Sequence, residues 1–429
     1  MIIIDSMTLT PRGYRPRIMD GIFKQCLSSF GCVYVCGPKN CGKTWMSRNQ
    51  CVSEIQLDSD MIAAVSVDHS LALNGEKPRL IDEWQTIPSL WDDVRFAIDR
   101  TGMKGQYVLC GSFSLPKEEI DKRLHSGIGR IYTLNIRPMS LYESGDSSGT
   151  VSLMELFDGI FENQLCEPAS LKKLIHLTSR GGWPSLIDGS ENYIRANKDY
   201  VIKICNADSS NIDNVQRDDN KMYRLIRSLA RNESTVVKNS TLISDLMEFE
   251  NESMSENTLV KYRSALERLH ILWSQPSFDP NFRSDMRVGK NPKRHLIDPS
   301  LSIAALGLTP DMLLKDLRTY GFMFEGMCER DLAVYADAHD ATLYHYRDGR
   351  GNEIDAVIEL PDGRWGAFEI ELGHEQIDKA AENLLHMKRI FEEKGARVPS
   401  VLCVICGVCR YALKRPDGVY VVPITCLKD

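Results

Sequence analysis

The chain has 429 residues, 43% apolar and 26% charged, the composition of an ordinary globular protein too long for one core, so roughly two to four domains are expected. A net charge of −7 excludes a protein that is basic throughout, though not one with local basic patches. No apolar run reaches the length of a membrane span, and no basic stretch followed by an apolar core opens the chain. The 13 cysteines are odd in number and scattered, which excludes a disulfide framework and points to a reducing, cytoplasmic setting.

Taken in chain order, the first informative element is the apolar run Cys32-Val33-Tyr34-Val35-Cys36, a predicted buried strand. It runs straight into Gly37, Pro38, Lys39, Asn40, Cys41, Gly42, Lys43 and Thr44, which fit the pattern G-x-x-x-x-G-K-[ST]. A strand, a glycine-rich turn and a helix in that order let backbone N–H groups wrap a phosphate chain. Lys43 is expected to reach the β- and γ-phosphates of ATP, and Thr44 to take a place on Mg²⁺. Cys41 lies near a helix N-terminus, where a thiol can be activated, but it also stands at one of the variable positions of the pattern.

Pro78-Arg79-Leu80-Ile81-Asp82-Glu83-Trp84-Gln85 reads as a strand closing on two adjacent acids. In a phosphoryl-transfer site Asp82 would hold Mg²⁺ through water and Glu83 would polarise the attacking water. A third strand, Gln106 to Cys110, ends in Gly111-Ser112, which places Ser112 where a small polar side chain can report on the γ-phosphate. Helical stretches at Trp45 to Cys51 and Trp91 to Arg100 alternate with these strands. The pattern predicts an α/β, doubly wound parallel sheet with its ligand at the carboxyl ends of the strands. In the following loop, His125-Ser126-Gly127-Ile128-Gly129-Arg130, Arg130 is the candidate cation for the transferring phosphoryl group, in cis or from a neighbouring subunit. Arg137 and Arg123 are its alternatives.

The stretches GPKNCGKT, PRLIDEWQ, LCGS, HSGIGRI and RPMSLYESG together resemble the bacterial AAA-type ATPases that carry a C-terminal domain of uncharacterised function. The resemblance continues through Gly181-Gly182-Trp183-Pro184 into the last third and covers essentially the whole chain. It implies ATP binding and, through the AAA architecture, a small helical lid at about residues 151–220, in which Arg180 is the candidate second arginine. Rings of subunits with shared sites are common among AAA proteins, so a homo-oligomer is compatible with it.

Residues 221–310 read as three helices, Met222 to Arg231, Leu242 to Phe249 and Glu256 to Leu269, followed by two strands at Ile271-Leu272-Trp273 and Arg294 to Asp298. Three helices and a hairpin make a winged helix. This segment holds 13 Lys plus Arg against 10 Asp plus Glu, a net +3 that leaves −10 on the remainder. Arg283, Arg287, Lys290, Lys293 and Arg294 fall in the hairpin region and form the expected contact to DNA phosphates.

In the last segment, about residues 311–429, Gly321 to Glu325 opens a helix, and acids follow on two neighbouring strands, Asn352 to Ile358 and Trp365 to Glu371. The order of helix-borne Glu325, strand-borne Asp355 and strand-borne Glu369 resembles the PD-(D/E)xK nuclease fold, which implies a second metal site at Asp355 and Glu369. Where that fold has a lysine, this chain has Glu371, so a nuclease-like fold without cleavage is expected; Lys379 on the next helix would have to reach in from another direction. Cys403, Cys406 and Cys409 lie in an apolar run and are expected as core residues, not zinc ligands.

The sequence therefore predicts a P-loop AAA-type ATPase core at 1–150, a helical lid at 151–220, a winged helix at 221–310 and a nuclease-like α+β domain at 311–429. Its cofactors are ATP and Mg²⁺. The competing readings are a DNA-binding regulator that turns ATP over slowly and an ATP-controlled nuclease.

Overall fold

The computed structural model describes residues 8–115, 120, 123–124, 126–189, 191–208, 217–247 and 255–429. His125, in the arginine-bearing loop, and Phe249, the expected end of the second middle helix, lie outside the described residues. The chain forms two compact units: the first comes mainly from Met1–Pro138 with Ser264–Ile271, the second from Met139–Asn206, Arg217–Arg263 and Leu272–Asp429. Residues 264–271, expected inside the winged-helix segment, thus cluster with the first unit.

The first unit is built on five parallel strands: β1 (Cys32–Cys36), β2 (Ser53–Gln56), β3 (Arg79–Asp82), β4 (Tyr107–Gly111) and β5 (Ile131–Asn135), ordered β2-β3-β4-β1-β5. β1, β3 and β4 are buried at every position, as expected of central parallel strands covered on both faces. Tyr34, Trp84, Trp91, Val94, Ile98 and Leu109 belong to one apolar cluster. Helix Leu90–Thr101 buries Leu90, Trp91, Val94 and Ile98, an apolar stripe at helical spacing, each side chain contributing about 1.5–3 kcal/mol. Gly102, at φ 66°, closes that helix in the left-handed conformation glycine adopts without strain. Because β4 lies between β1 and β3, its carboxyl tip falls between the glycine-rich turn and the paired acids.

Besides a short parallel pair of β6 (Val151–Ser152) with β16 (Leu427–Lys428), the second unit contains a seven-stranded mixed sheet. Its strands include β7 (Gln164–Leu165), β10 (Thr342–Arg347), β11 (Glu353–Glu359), β12 (Trp365–Gly373), β13 (Val401–Val408), β14 (Tyr411–Lys414) and β15 (Tyr420–Pro423), ordered β10-β11-β12-β13-β15-β14-β7. Helix Ile377–Glu393 buries Ile377, Ala380, Ala381, Leu384, Met387 and Phe391, all members of the apolar cluster that holds β13 residues Leu402, Val404 and Cys406. Cys403, Cys406 and Cys409 are buried in or just after β13. Helices occupy Asp219–Arg231, Asn239–Met247 and Glu256–Arg268, and β8 (Leu272–Gln275) pairs antiparallel with β9 (Lys293–Leu296).

The Gly181-Gly182 break is a packing device. A Cβ on Gly182 would come within 2.1 Å of the Met139 carbonyl oxygen, and the Gly182 N–H donates to Asp298 Oδ2 over 2.9 Å. Asp298 is in turn paired with the buried Arg330 at 2.8 Å. Arg180, a candidate lid arginine, is buried and paired with Asp146 at 2.7 Å inside the second unit.

Candidate nucleotide site

The turn between β1 and helix Lys43–Arg48 has the backbone that its glycines predict. Gly42 sits at φ 100°, and at Gly37, φ 154°, a Cβ would come within 2.3 Å of the Ile136 carbonyl oxygen. Lys43 is buried, and its ammonium donates to the Pro38 carbonyl over 2.8 Å, so the lysine folds over its own loop. The Thr44 hydroxyl donates to Asp82 Oδ2 over 3.1 Å. Burial pushes the Asp82 carboxyl above its usual range, while hydrogen bonds from Cys110 and Thr44 oppose that shift.

Glu83 has φ 57°, a left-handed backbone that costs a non-glycine residue on the order of 1 kcal/mol or more and is a recurrent mark of functional sites. Its Oε1 accepts a hydrogen bond from the Ser112 hydroxyl at 3.2 Å, and its Oε2 accepts one from the Gln85 amide. Lys43, Thr44, Asp82, Glu83 and Ser112 thus converge at the carboxyl edge of the sheet, as the sequence predicts. The set fits a phosphate chain with its magnesium: a lysine and open loop for anions, a hydroxyl and a buried acid for a cation, and a second acid aimed elsewhere.

The arginines are placed differently from the expectation. Arg130 precedes β5 and its carbonyl accepts from Cys32 N–H at the start of β1, so it lies at the amino edge of the sheet, a strand length away from the glycine-rich turn. Its guanidinium pairs with Asp99 at 2.9 Å and is half exposed. In cis it cannot reach the site, because parallel strands put their two ends on opposite edges. Arg123 lies 4.0 Å over the Trp91 ring and 5.3 Å from the Trp84 ring, which commits it to the aromatic cluster. Arg137 follows the carboxyl end of β5, on the correct edge.

Sequence reading overlooked two residues here. Arg17 is buried and donates from Nη1 to the Cys41 carbonyl at 2.9 Å and from Nη2 to the Arg137 carbonyl at 2.8 Å, tying the glycine-rich turn to the β5 edge. No pattern marks it, since its partners are backbone atoms 24 and 120 residues away. His270, beyond helix Glu256–Arg268, is within hydrogen-bond distance of Ser114, its Nε2 lying 3.3 Å from the hydroxyl.

In the second unit, Glu325, Asp355, Lys293 and His345 help line a cavity of about 280 Å³. Lys293, expected on a basic wing, is instead buried there. Its ammonium binds Glu325 and, at 2.7 Å, Glu329. Burial alone would depress the ammonium, but Glu325, Glu329 and Asp355 hold it above its ordinary value. Burial pushes the carboxyls of Glu325, Asp355 and Glu369 upward, with repulsion from Asp355 adding to the shifts of Glu325 and Glu369 and repulsion from Glu353 to that of Asp355. Glu371 is raised to about 7 by burial and by Asp355, with Lys379 opposing. The expected metal pair is engaged otherwise: Asp355 Oδ2 accepts from Ile370 N–H at 2.9 Å and Glu369 Oε1 from the Asn383 amide at 2.9 Å. Among the described residues no group of three or more acid, imidazole or thiol side chains is placed to hold an ion.

Three further residues of the expected wing are also tied inward. Arg294 is buried and donates to the Val237 carbonyl, Arg287 pairs with Glu359 at 2.9 Å, and Lys290 donates to the Arg347 carbonyl. The hairpin is where the second unit stitches its own acids together. Arg283 alone of the five is exposed.

Residues 29–144 match the family described as an AAA domain. Residues 171–312 and 320–427 match two domains of unknown function, DUF8612 and DUF4143. Uncharacterized proteins of Mycobacterium tuberculosis and Mycobacterium bovis are each 23% identical over 346 residues, covering 79% of this chain and 70% of theirs. A Walker-type ATPase of Pyrococcus abyssi aligns at 11% identity with a TM-score of 0.43, covering 71% of this chain and 99% of that one. RuvB of Thermotoga maritima aligns at 16% identity with a TM-score of 0.29, covering 61% and 93%. The first unit is a P-loop ATPase domain of the AAA type. In this chain it is followed, at residues 320–427, by the DUF4143 domain. No described helix is long and apolar enough to cross a membrane.

Proposed function

We propose that the protein binds ATP with Mg²⁺ at Gly37–Thr44, hydrolyses it, and uses the cycle to move the elements that follow. The observation that carries this reading is the convergence of Lys43, Thr44, Asp82, Glu83 and Ser112 on one sheet edge, with Thr44 hydrogen-bonded to Asp82 and Ser112 to Glu83. Mg²⁺, when bound, would supply positive charge to offset that of the phosphate chain. Lys43 would leave the Pro38 carbonyl for the phosphates, Thr44 and Asp82 would hold the ion, and Glu83 would orient and polarise water. Arg137, rather than Arg130, is the arginine on the right edge to complete the site in cis.

The three helices and the hairpin β8–β9 support reading residues 221–310 as a winged helix, and the placement of Glu325, Asp355 and Glu369 supports a nuclease-like fold. With Lys293 set against these acids and Glu371 in place of a lysine, we read that domain as non-cleaving. A DNA contact would rest on Arg283.

A second reading, an ATP-binding regulator with slow turnover, is favoured by one feature: both oxygens of Glu83 already accept a hydrogen bond within the protein, which leaves the acid fewer acceptor positions for water. Steady-state ATP turnover, with and without DNA, decides between the two. Turnover lost in Lys43→Ala and Glu83→Gln supports the machine, whereas nucleotide binding with negligible turnover supports the regulator.

A further inference from the structure

His270 stands where helix Glu256–Arg268 has just ended. Its N–H donates to the Glu267 carbonyl at 3.0 Å, the next residue's N–H closes on the Leu266 carbonyl at 2.9 Å, and its φ is 57°. Helices commonly end in this left-handed conformation, but glycine or asparagine usually supplies it, because a β-carbon there is strained. A turn alone gives no reason for an imidazole.

Two hydrogen bonds fasten this segment to the chain leaving β4. Ser114 N–H donates to the Arg268 carbonyl at 2.9 Å, and the Ser114 hydroxyl lies 3.3 Å from His270 Nε2. Ser114 is two residues beyond Ser112, the residue that touches Glu83. The imidazole is therefore held beside the segment that leaves the tip of β4, at the carboxyl edge of the sheet. Burial, helped by the nearby charge of Lys43, lowers the imidazole to about 4, so the ring is neutral near pH 7. In the tautomer whose Nε2 accepts from the Ser114 hydroxyl, the ring proton sits on Nδ1 and can be offered to a hydrogen-bond acceptor.

We infer that His270 is a specificity-determining residue of the nucleotide site, donating a hydrogen bond to the terminal phosphate of ATP and so distinguishing ATP from ADP. A neutral donor suits this role, because it adds nothing to the positive charge of Lys43 before the nucleotide arrives and finds its acceptor only when the third phosphate is present. The inference rests on the ATPase reading above.

Binding of a non-hydrolysable ATP analogue, AMP-PNP, and of ADP to the full-length protein with Mg²⁺, measured by titration calorimetry, tests it. In His270→Ala, AMP-PNP affinity is expected to fall about tenfold, the worth of one hydrogen bond to a charged group, with ADP affinity held within about twofold. His270→Asn keeps a residue that tolerates the left-handed turn but is too short to reach, and is expected to show the same split with an unchanged melting temperature. Wild-type affinity for both ligands in His270→Asn overturns the inference, as does equal weakening for both. Failure of the wild-type protein to bind either nucleotide overturns the ATPase reading itself.

Discussion

The Ser112 hydroxyl donates a hydrogen bond to Glu83 Oε1 at 3.2 Å, linking the tip of β4 to the acid that follows β3. Two strands adjacent in the sheet thus share one polar contact at the place where a phosphoryl group would be attacked. Glu83→Gln keeps the shape and the hydrogen-bonding capacity but removes the base. ATP turnover should fall by roughly 10²–10⁴-fold with AMP-PNP affinity retained. Ser112→Ala, which only frees one carboxylate oxygen, should change turnover by much less. A Glu83→Gln variant that still turns over ATP at the wild-type rate would remove Glu83 from the mechanism.

Arg17 holds the glycine-rich turn through the Cys41 carbonyl and the β5 edge through the Arg137 carbonyl. Removing it leaves both carbonyls without a charged donor. Arg17→Ala should lower stability by about 1.5–3 kcal/mol and weaken ATP and ADP to the same degree, since the loop that cradles both loses its anchor. Calorimetric titration beside urea denaturation checks both halves, and an unaltered affinity would separate Arg17 from the loop's order.

Arg130 lies at the edge of the sheet opposite the site and pairs with Asp99. Arg130→Ala is expected to leave turnover of a monomer within about twofold, because exposed ion pairs contribute at most about 1 kcal/mol. A large loss of turnover in a concentration-dependent assembly would show instead that Arg130 serves a neighbouring subunit's site.

Lys293 is the cation among Glu325, Glu329 and Asp355. Lys293→Met leaves buried acids unpaired and should cost about 3–5 kcal/mol in urea denaturation. Adding Glu325→Gln should return part of that loss. DNA affinity should respond to Arg283→Ala before it responds to Lys293, and a stable Lys293→Met protein with lowered DNA affinity would restore the basic-wing expectation.

Burial raises the carboxyl of Glu233 from its ordinary 4.5 to about 8. Between those two pH values the folded chain keeps a proton that the unfolded chain has lost, so stability from this group is full below pH 4.5 and declines as pH rises to 8. The slope is about 1.4 kcal/mol per pH unit for one such group. Glu233→Gln, which mimics the protonated acid, should flatten the pH dependence of unfolding by that amount. An identical slope in the variant would place the acid's proton elsewhere.

The parts of the candidate nucleotide site were legible because they are short runs of neighbouring residues. Gly37–Thr44 must turn as glycine permits, Asp82-Glu83 must end a strand, and Ser112 must follow one; strand direction then brings the three to one edge. The doubly wound parallel sheet followed from the same alternation. Tertiary structure decided what sequence order could not. Arg130 and Arg137 are seven residues apart with β5 between them, and only the strand's direction tells which one lies on the edge of the candidate site. Lys293 read as a phosphate contact because its sequence neighbours are basic, yet its spatial neighbours are acids from a helix and a strand far along the chain. Arg17 and His270 carry no motif: one binds backbone carbonyls, and the other sits beside Ser114 only because a helix ends there. Local chemistry is written in consecutive residues, whereas the partners of a buried charge are fixed by packing.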